Sequence, residues 1–324
     1  MRCMRFLARR LLPLVLALGT CTAHAQTWPA KPVRMIVGYT AGGAVDIIAR
    51  VVGQQVSATT GQPVIVENRP GAGTNIAMRA LIDSPPDGYT LMMAANALAA
   101  NPALFQPPPF DPARDVTPIA LVGRVPVVIA VNAQSELGSL AKLISVAKEK
   151  PDWITFGSPG NGSTPHLAVE LFERAAGIRL THVPYRGGAQ AMTDTLSGQL
   201  QAVAVNALEV LPQVKAGKLR VLAVMSPARS ALFPDVPTIA ESGFPGFEAA
   251  VWYGVIGPGG MPPAVVGRIH EEVQRALRSP EVRERLAGAG GEVIPATTAQ
   301  FAAMVEAERA RYEKLIREAG IKPD

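Results

Sequence analysis

Cysteine is nearly absent from the 324 residues: there are two, Cys3 and Cys21, both near the amino terminus. The same terminus carries Arg2, Arg5, Arg9 and Arg10 and no acid, then the apolar run LLPLVLALGT, then Ala23-His24-Ala25. The run is too short to cross a bilayer, and the whole pattern reads as a secretory signal peptide over residues 1–25, with the mature chain expected to begin at Gln26. Thr20 before Cys21 fits lipid attachment poorly. Cleavage removes both thiols, which excludes disulfides and cysteine-ligated metal from the exported chain. It also removes four of the 31 basic residues and no acid, leaving 27 basic against 26 acidic residues. A nucleic-acid partner, which needs a persistent basic face, is therefore not expected. No later run is long enough to span a membrane; VPVVIAV at 125–131 has strand length.

What is present is an alternation. VRMIVGY (33–39), VIVEN (64–68) and YTLMMA (89–94) are each followed by a segment of helical spacing, as in a mostly parallel sheet covered by helices. After the loop 106–118 the pattern restarts with ALVGRVPVVIAVN (120–132). Pro126 cannot donate to a sheet ladder, so this run reads either as two strand pieces or as a strand crossing between domains. Strands ITFGS, LTHVPY, QAVAV and RVLAV then alternate with helices at 139–149, 164–176, 188–197 and 207–216. A last strand-like run, AAVWYGVIGP (249–258), precedes helices at 262–278, 280–288 and 298–318. The closing segment has too few strands for a third sheet and is expected to return to the first unit. The fold class is therefore α/β, with two domains, 26–126 plus 228–324 and 127–227, and a ligand cleft between them.

Glycine marks the candidate site. In VGYTAGGAVDIIAR (37–50), Gly42 and Gly43 allow a tight turn from strand to helix, and the free N–H groups of the first helical turn form an anion site. Asp46 is placed to cap that turn. FGSPGNGSTPHLAVE (156–170) repeats the arrangement: Gly157, Gly160 and Gly162 permit close backbone approach, Ser163 or Thr164 can cap, and Pro165 suits the first helical position. A third strand–turn–helix, VPYRGGAQAMTDTLSGQ (183–199), offers the Tyr185 hydroxyl and the Arg186 charge before Gly187 and Gly188, although a solvated Arg186 is the commoner fate. Arg69, in VENRPGAGTNIA (66–77), is expected to bond loop carbonyls and shape the cleft wall.

The missing residues narrow the chemistry. Gly162-Ser163-Thr164 has no lysine where a phosphate loop needs one, and Pro165 stands where a dinucleotide fingerprint needs its last glycine. No G-x-S-x-G elbow occurs. Ser163 and His166 could meet on one helical turn, but no third residue is evident to hold the histidine tautomer. A brace for the cleft loop is the favoured reading of His166. His166, His182 and His270 lack ligand spacing, and no acidic cluster resembles a metal loop, so neither metal nor cofactor is expected.

Taken in order, WPAKPVRMIVGYTAGGAVDIIAR, GQPVIVENRPGAGTNIA, PDGYTLMMA, FGSPGNGSTPHLAVELF, HVPYRGGAQAMTDTLSGQ, KAGKLRVLAV and VPTIAESGFPGFEAAVWYGVIGPGGMP resemble the Bug-type receptors. These are the substrate-binding proteins of the tripartite tricarboxylate transporter system, and the resemblance runs from about residue 27 to the carboxyl end. It implies a periplasmic, two-lobed Venus-flytrap protein, type II-like and monomeric. Such a protein binds a small carboxylate and delivers it to membrane permease subunits, or reports it to a membrane signalling protein. A hydrolase using Ser163 and His166 is the alternative of another class. By resemblance, backbone groups of Tyr39, Thr40, Ala41, Gly42 and Gly43 hold the ligand carboxylate, often through water. The loop Ser158, Gly160, Asn161, Gly162, Ser163 and Thr164 and the region Tyr185 to Gly188 complete the pocket. Asn206 is kept, but Gln201 and Val205 stand where acids are common in the family. Val205, facing the pocket, would disfavour a ligand amine and suit an uncharged or aromatic portion.

Overall fold

A computed structural model describes residues 28–288 and 291–323; the signal peptide lies outside them. The first unit runs β1 (Val33–Val37), α1 (Ala44–Thr60), β2 (Val64–Asn68), α2 (Asn75–Ile82), β3 (Thr90–Ala94), α3 (Ala97–Leu104) and a one-turn α4 (Pro112–Asp115). There follow β4 (Val116–Asn132), α5 (Leu140–Glu149), β5 (Thr155–Ser158), α6 (Thr164–Ala176), β6 (Thr181–Pro184), α7 (Gly188–Leu196), β7 (Ala202–Asn206), α8 (Ala207–Lys215) and β8 (Leu219–Val224). The chain closes with β9 (Ala250–Pro258), α9 (Pro263–Arg278), α10 (Pro280–Ala287), the two-residue β10 (Glu292–Val293) and α11 (Thr298–Ala319).

The strands share one sheet path, β2-β1-β3-β9-β4-β7-β5-β6, with β8 and β10 also paired to β4. Of the two readings of the Pro126 segment, the crossing strand is the one formed. β4 is a single strand of 17 residues, pairing with β9 through Pro126, with β7 from Val127 and with β8 from Val128. Its run Val127 to Val131 is buried throughout, as expected of a strand covered on both faces. β1 is parallel to β2 and β3, and β5 is parallel to β6 and β7, so each half of the sheet aims the carboxyl ends of its strands at helix starts. The result is two α/β lobes with a cleft between them.

The closing segment packs where its apolar spacing directs it. β9 fills the place between β3 and β4, and α9 lies on α1. Phe301 of α11 meets Trp252 edge-on at 5.5 Å, while Tyr312, Leu315 and Ile316 cluster with α3. The loop 226–249 stays beside β8 and α6: Ile239 N–H donates to the Val224 carbonyl at 3.0 Å, and Phe244 and Phe247 meet Phe172 edge-on. No helix among the described residues is long and apolar enough to cross a membrane.

Candidate functional site

The turn after β1 is fixed by its own side chains. Gly42 has φ 84°, a left-handed conformation that favours glycine. Its N–H donates to Asp46 Oδ2 at 3.0 Å, Arg50 Nε donates to the same oxygen at 3.0 Å, and Asn68 Nδ2 donates to Oδ1 at 2.9 Å. Burial alone would raise the Asp46 pKa, but these hydrogen bonds outweigh it and hold the carboxyl below its ordinary value. Asp46 therefore pins the turn.

The turn after β5 is held in the same way. Gly160 N–H donates to Ser158 Oγ at 3.2 Å, and Gly162 N–H donates to His166 Nδ1 at 3.2 Å. Ser158 Oγ also meets His182 Nε2 at 2.7 Å, and the His182 ring stacks on His166 with centroids 4.0 Å apart. Burial, then the neighbouring His166, pushes the His182 pKa down to about 2, so that ring is neutral. Ser163 is the N-cap of α6 and accepts from His166 N–H at 3.5 Å, with Pro165 in the first turn. No hydrogen bond joins Ser163 Oγ to an imidazole, and His166 Nδ1 is engaged by the loop, so the two do not form a nucleophile–base pair. His166 braces the loop. Among the described residues no group of three His, Cys, Asp or Glu could hold a metal ion.

At the third turn the Tyr185 hydroxyl donates to Asp194 Oδ2 at 2.5 Å and is not free for a ligand. Arg186 is exposed, but its carbonyl accepts from Thr40 N–H at 3.3 Å, joining the two lobes. The backbone at Gly187, which is extended, and at Gly188, the first residue of α7, passes so near the opposite turn and α8 that a β-carbon would fall 2.1 Å from Thr40 Oγ1 or 2.0 Å from Glu209 Oε2 respectively. Arg69 does not bond loop carbonyls: its Nε donates to Glu67 Oε1 at 2.6 Å.

Two adjoining cavities lie where these turns converge. The outer cleft, about 690 Å³, is walled by Gly38, Tyr39, Pro70 to Thr74, Ile76, Phe105, Pro159, Gly160, Asn161, Ser163, Pro184, Tyr185, Arg186 and Gln190. The inner cavity, about 20 Å³, is walled by Tyr39, Gly43, Ala44, Val45, Ala95, Pro159, Ser163, Thr164, Pro165, Gly188, Asn206, Glu209 and Val251. Of the residues named from the sequence, Tyr39, Gly43, Gly160, Asn161, Ser163, Thr164, Tyr185, Gly188 and Asn206 line one or both. Thr40, Ala41, Gly42, Asp46, Ser158, Gly162, His166 and Gly187 line neither cavity. A larger groove, about 1240 Å³, runs between α3 and the end of α11 and touches none of these turns.

The sequence reading missed two features. Ala72, Gly73 and Thr74 all have positive φ, and Asn101 Nδ2 holds the Gly73 carbonyl at 2.7 Å, so this turn becomes a wall of the outer cleft. Glu209, only 6% exposed, puts a carboxylate into the inner cavity. Its sequence signal was Asn206-x-x-Glu209 at a helix start, which reads as an ordinary capping pair. Asn206 Nδ2 does donate to Glu209 Oε1 at 2.9 Å. Val205 is fully buried in β7 and lines neither cavity, and Gln201 Oε1 accepts from Thr155 N–H at 3.0 Å within the sheet.

A model of the tripartite tricarboxylate transporter family receptors matches residues 48–321. The protein BugT of Bordetella pertussis is 37% identical over 300 residues, 92% of each chain. The R. palustris protein Rpa4515, solved with adipate, is 35% identical with a TM-score of 0.87, covering 92% of this chain and all of that one. MatC of Rhodopseudomonas palustris, solved with bound malate, is 29% identical with a TM-score of 0.85, covering 89% of this chain and all of that one. The chain belongs to the tripartite tricarboxylate transporter family receptors, which are solute-binding proteins and not enzymes.

Proposed function

We propose that the mature chain is a periplasmic monomer that captures a small carboxylated organic acid between its lobes and delivers it to a tripartite tricarboxylate-type membrane transporter. Residues 1–25 are its signal peptide, removed after Ala25. One lobe comprises 26–126 with the chain from about residue 250 onward, and the other 127–249, since the loop 228–249 keeps its contacts with β8 and α6. The observation that carries the reading is the convergence of glycine turns from both lobes on one cleft, with the N–H groups of Gly43 and Asn161 free of any acceptor among the described residues. Gly43 is the N-cap of α1 and Asn161 lies in the loop just before α6, and free N–H groups near helix starts favour an anion. Adipate and malate in the related structures give the same chemistry.

Three N–H groups that the sequence offered to a ligand, those of Gly42, Gly160 and Gly162, have partners within their own loops. The carboxylate is therefore placed in the outer cleft, against Asn161 and the mouth of the inner cavity near Gly43. Lobe closure excludes water there and strengthens each hydrogen bond. A thermal-shift and calorimetric screen of organic acids tests this. At least one acid should raise the melting temperature by mass action without turnover. A full panel of mono-, di- and amino acids with no shift would overturn it.

A further inference from the structure

Glu209 is the only carboxylate that lines either cavity among the described residues. It belongs to α8 in the second lobe, yet its carboxyl group faces the backbone N–H of Ala44, the first residue of α1 in the other lobe, as well as that of Asn206. The innermost anion position, where helix starts meet, is thus filled by the protein's own side chain. A second carboxyl group brought there would meet the buried Glu209 carboxyl in a cavity of about 20 Å³, room for one water-sized group.

The atoms left over point to what that group is. Glu209 Oε2 and Asn206 Oδ1 are both buried and both lack a hydrogen-bond partner. The Asn206 amide nitrogen faces Glu209, which leaves its carbonyl oxygen as an acceptor. With Glu209 ionised, these are two unpartnered acceptors in a water-sized space, and a compact group rich in donors would satisfy both. Leaving such atoms unpaired is costly, and native structures rarely do so without a reason.

We propose that Glu209 determines specificity: Glu209 Oε2 and Asn206 Oδ1 receive the protonated amine of an amino-substituted carboxylic acid whose carboxylate lies in the outer cleft. This rests on the carboxylate reading above. The two cavities share Tyr39, Pro159 and Ser163 in their walls, so one small molecule can reach both. Burial pushes the Glu209 pKa up, against hydrogen bonds from Asn206 and Ala44. An arriving ammonium reverses that by supplying the missing opposite charge. The other titratable groups facing Glu209 are the hydroxyls of Tyr39 and Tyr253; the Glu209 charge raises both pKa values further after burial, so both stay protonated. The inference reverses the expectation drawn from Val205: the acid missing from β7 is supplied four residues later, from α8.

Calorimetry with matched acids tests it: 4-aminobutanoate against butanoate, glutamate against glutarate, and β-alanine against propanoate. In at least one pair the amino acid should bind the wild-type chain tenfold or more tightly. Glu209→Gln should abolish that preference, so that the two acids of the pair bind alike. The trimethylammonium analogue of the preferred acid, too large for the inner cavity and lacking N–H donors, should lose at least tenfold. Amine-free acids binding as tightly as their partners in every pair would overturn the Glu209 proposal and leave the carboxylate reading standing, as would a preference unchanged in Glu209→Gln. A resident water on the same two acceptors predicts that first result. No binding by any acid would overturn both. The wild-type comparison holds its force even if the variant fails to fold.

Discussion

His182 and Glu173 titrate in opposite senses. The His182 imidazole, ordinarily at 6.5, is pushed down to about 2 by burial and by His166. Between those values the unfolded chain binds more protons than the folded one, so stability is complete above about pH 6.5 and declines as pH falls. Glu173 runs the other way. Its Oε1 accepts from Leu180 N–H, but burial outweighs that bond and raises the carboxyl from 4.5 to about 8. There the folded chain holds the extra proton, so stability declines as pH rises from about 4.5 to about 8. His182→Asn should flatten the fall in urea midpoint between about pH 6 and 4, and Glu173→Gln should flatten the fall between about pH 5 and 8. A variant whose midpoint keeps the wild-type slope through its window would remove that residue from the account.

Helix α11 carries a complete capping box: Gln300 N–H donates to Thr297 Oγ1 at 3.2 Å and Thr297 N–H donates to Gln300 Oε1 at 2.8 Å. Its inner face holds Phe301, Val305, Tyr312, Leu315 and Ile316 against β9 and α3. Thr297→Ala leaves that face intact and removes only the start signal, at a cost of about 1 kcal/mol, or about 2 °C in melting temperature by calorimetry. An unchanged melting temperature would mean the packed face alone sets the helix. Elements of this kind were legible in the sequence because periodicity runs through them: α6 begins and ends at 164 and 176, as its apolar spacing and Pro165 direct. The one-turn α4 and the two-residue β10 are too short to show a period. Pro126 could not decide between a break and a crossing, because the answer lies in its pairing with Ala250. The glycine turns were legible as candidate anion sites, but which N–H groups remain free was not. That depends on Asp46, Ser158 and His166 folding back on their own loops, and Glu209 looked like any acid in a first helical turn.

At the scale of the whole molecule, β4 crosses between the lobes and the structure is closed upon itself. Thr40 meets Arg186 and Gly187, and Ala44 meets Glu209, all across the cleft. The outer cleft is about 690 Å³ but the inner cavity holds only one water-sized group, so on the proposed function a larger ligand group reaches the inner cavity only when the lobes part, a hinge motion whose closed end these contacts would set. Gly187 is the tightest of them. Its φ of 170° is extended backbone open to any residue, so a substitution there meets no backbone strain, only Thr40 of the other lobe at 2.1 Å from the new β-carbon. Thr40 can turn its hydroxyl away from one added atom but not from the branched side chain of valine, since its own β-carbon lies 3.4 Å from the same point. Gly187→Val should therefore leave each lobe folded, with a melting temperature within about 2 °C of wild type. It should hold the lobes apart, raising the radius of gyration in solution scattering, and weaken binding of whichever acid shifts the wild-type chain by about tenfold or more. If the variant scatters like wild type and binds as tightly, contact between these two turns is not what completes the site, and closure must be limited by other cross-cleft contacts, such as Ala44 with Glu209 or Gly162 with Leu104.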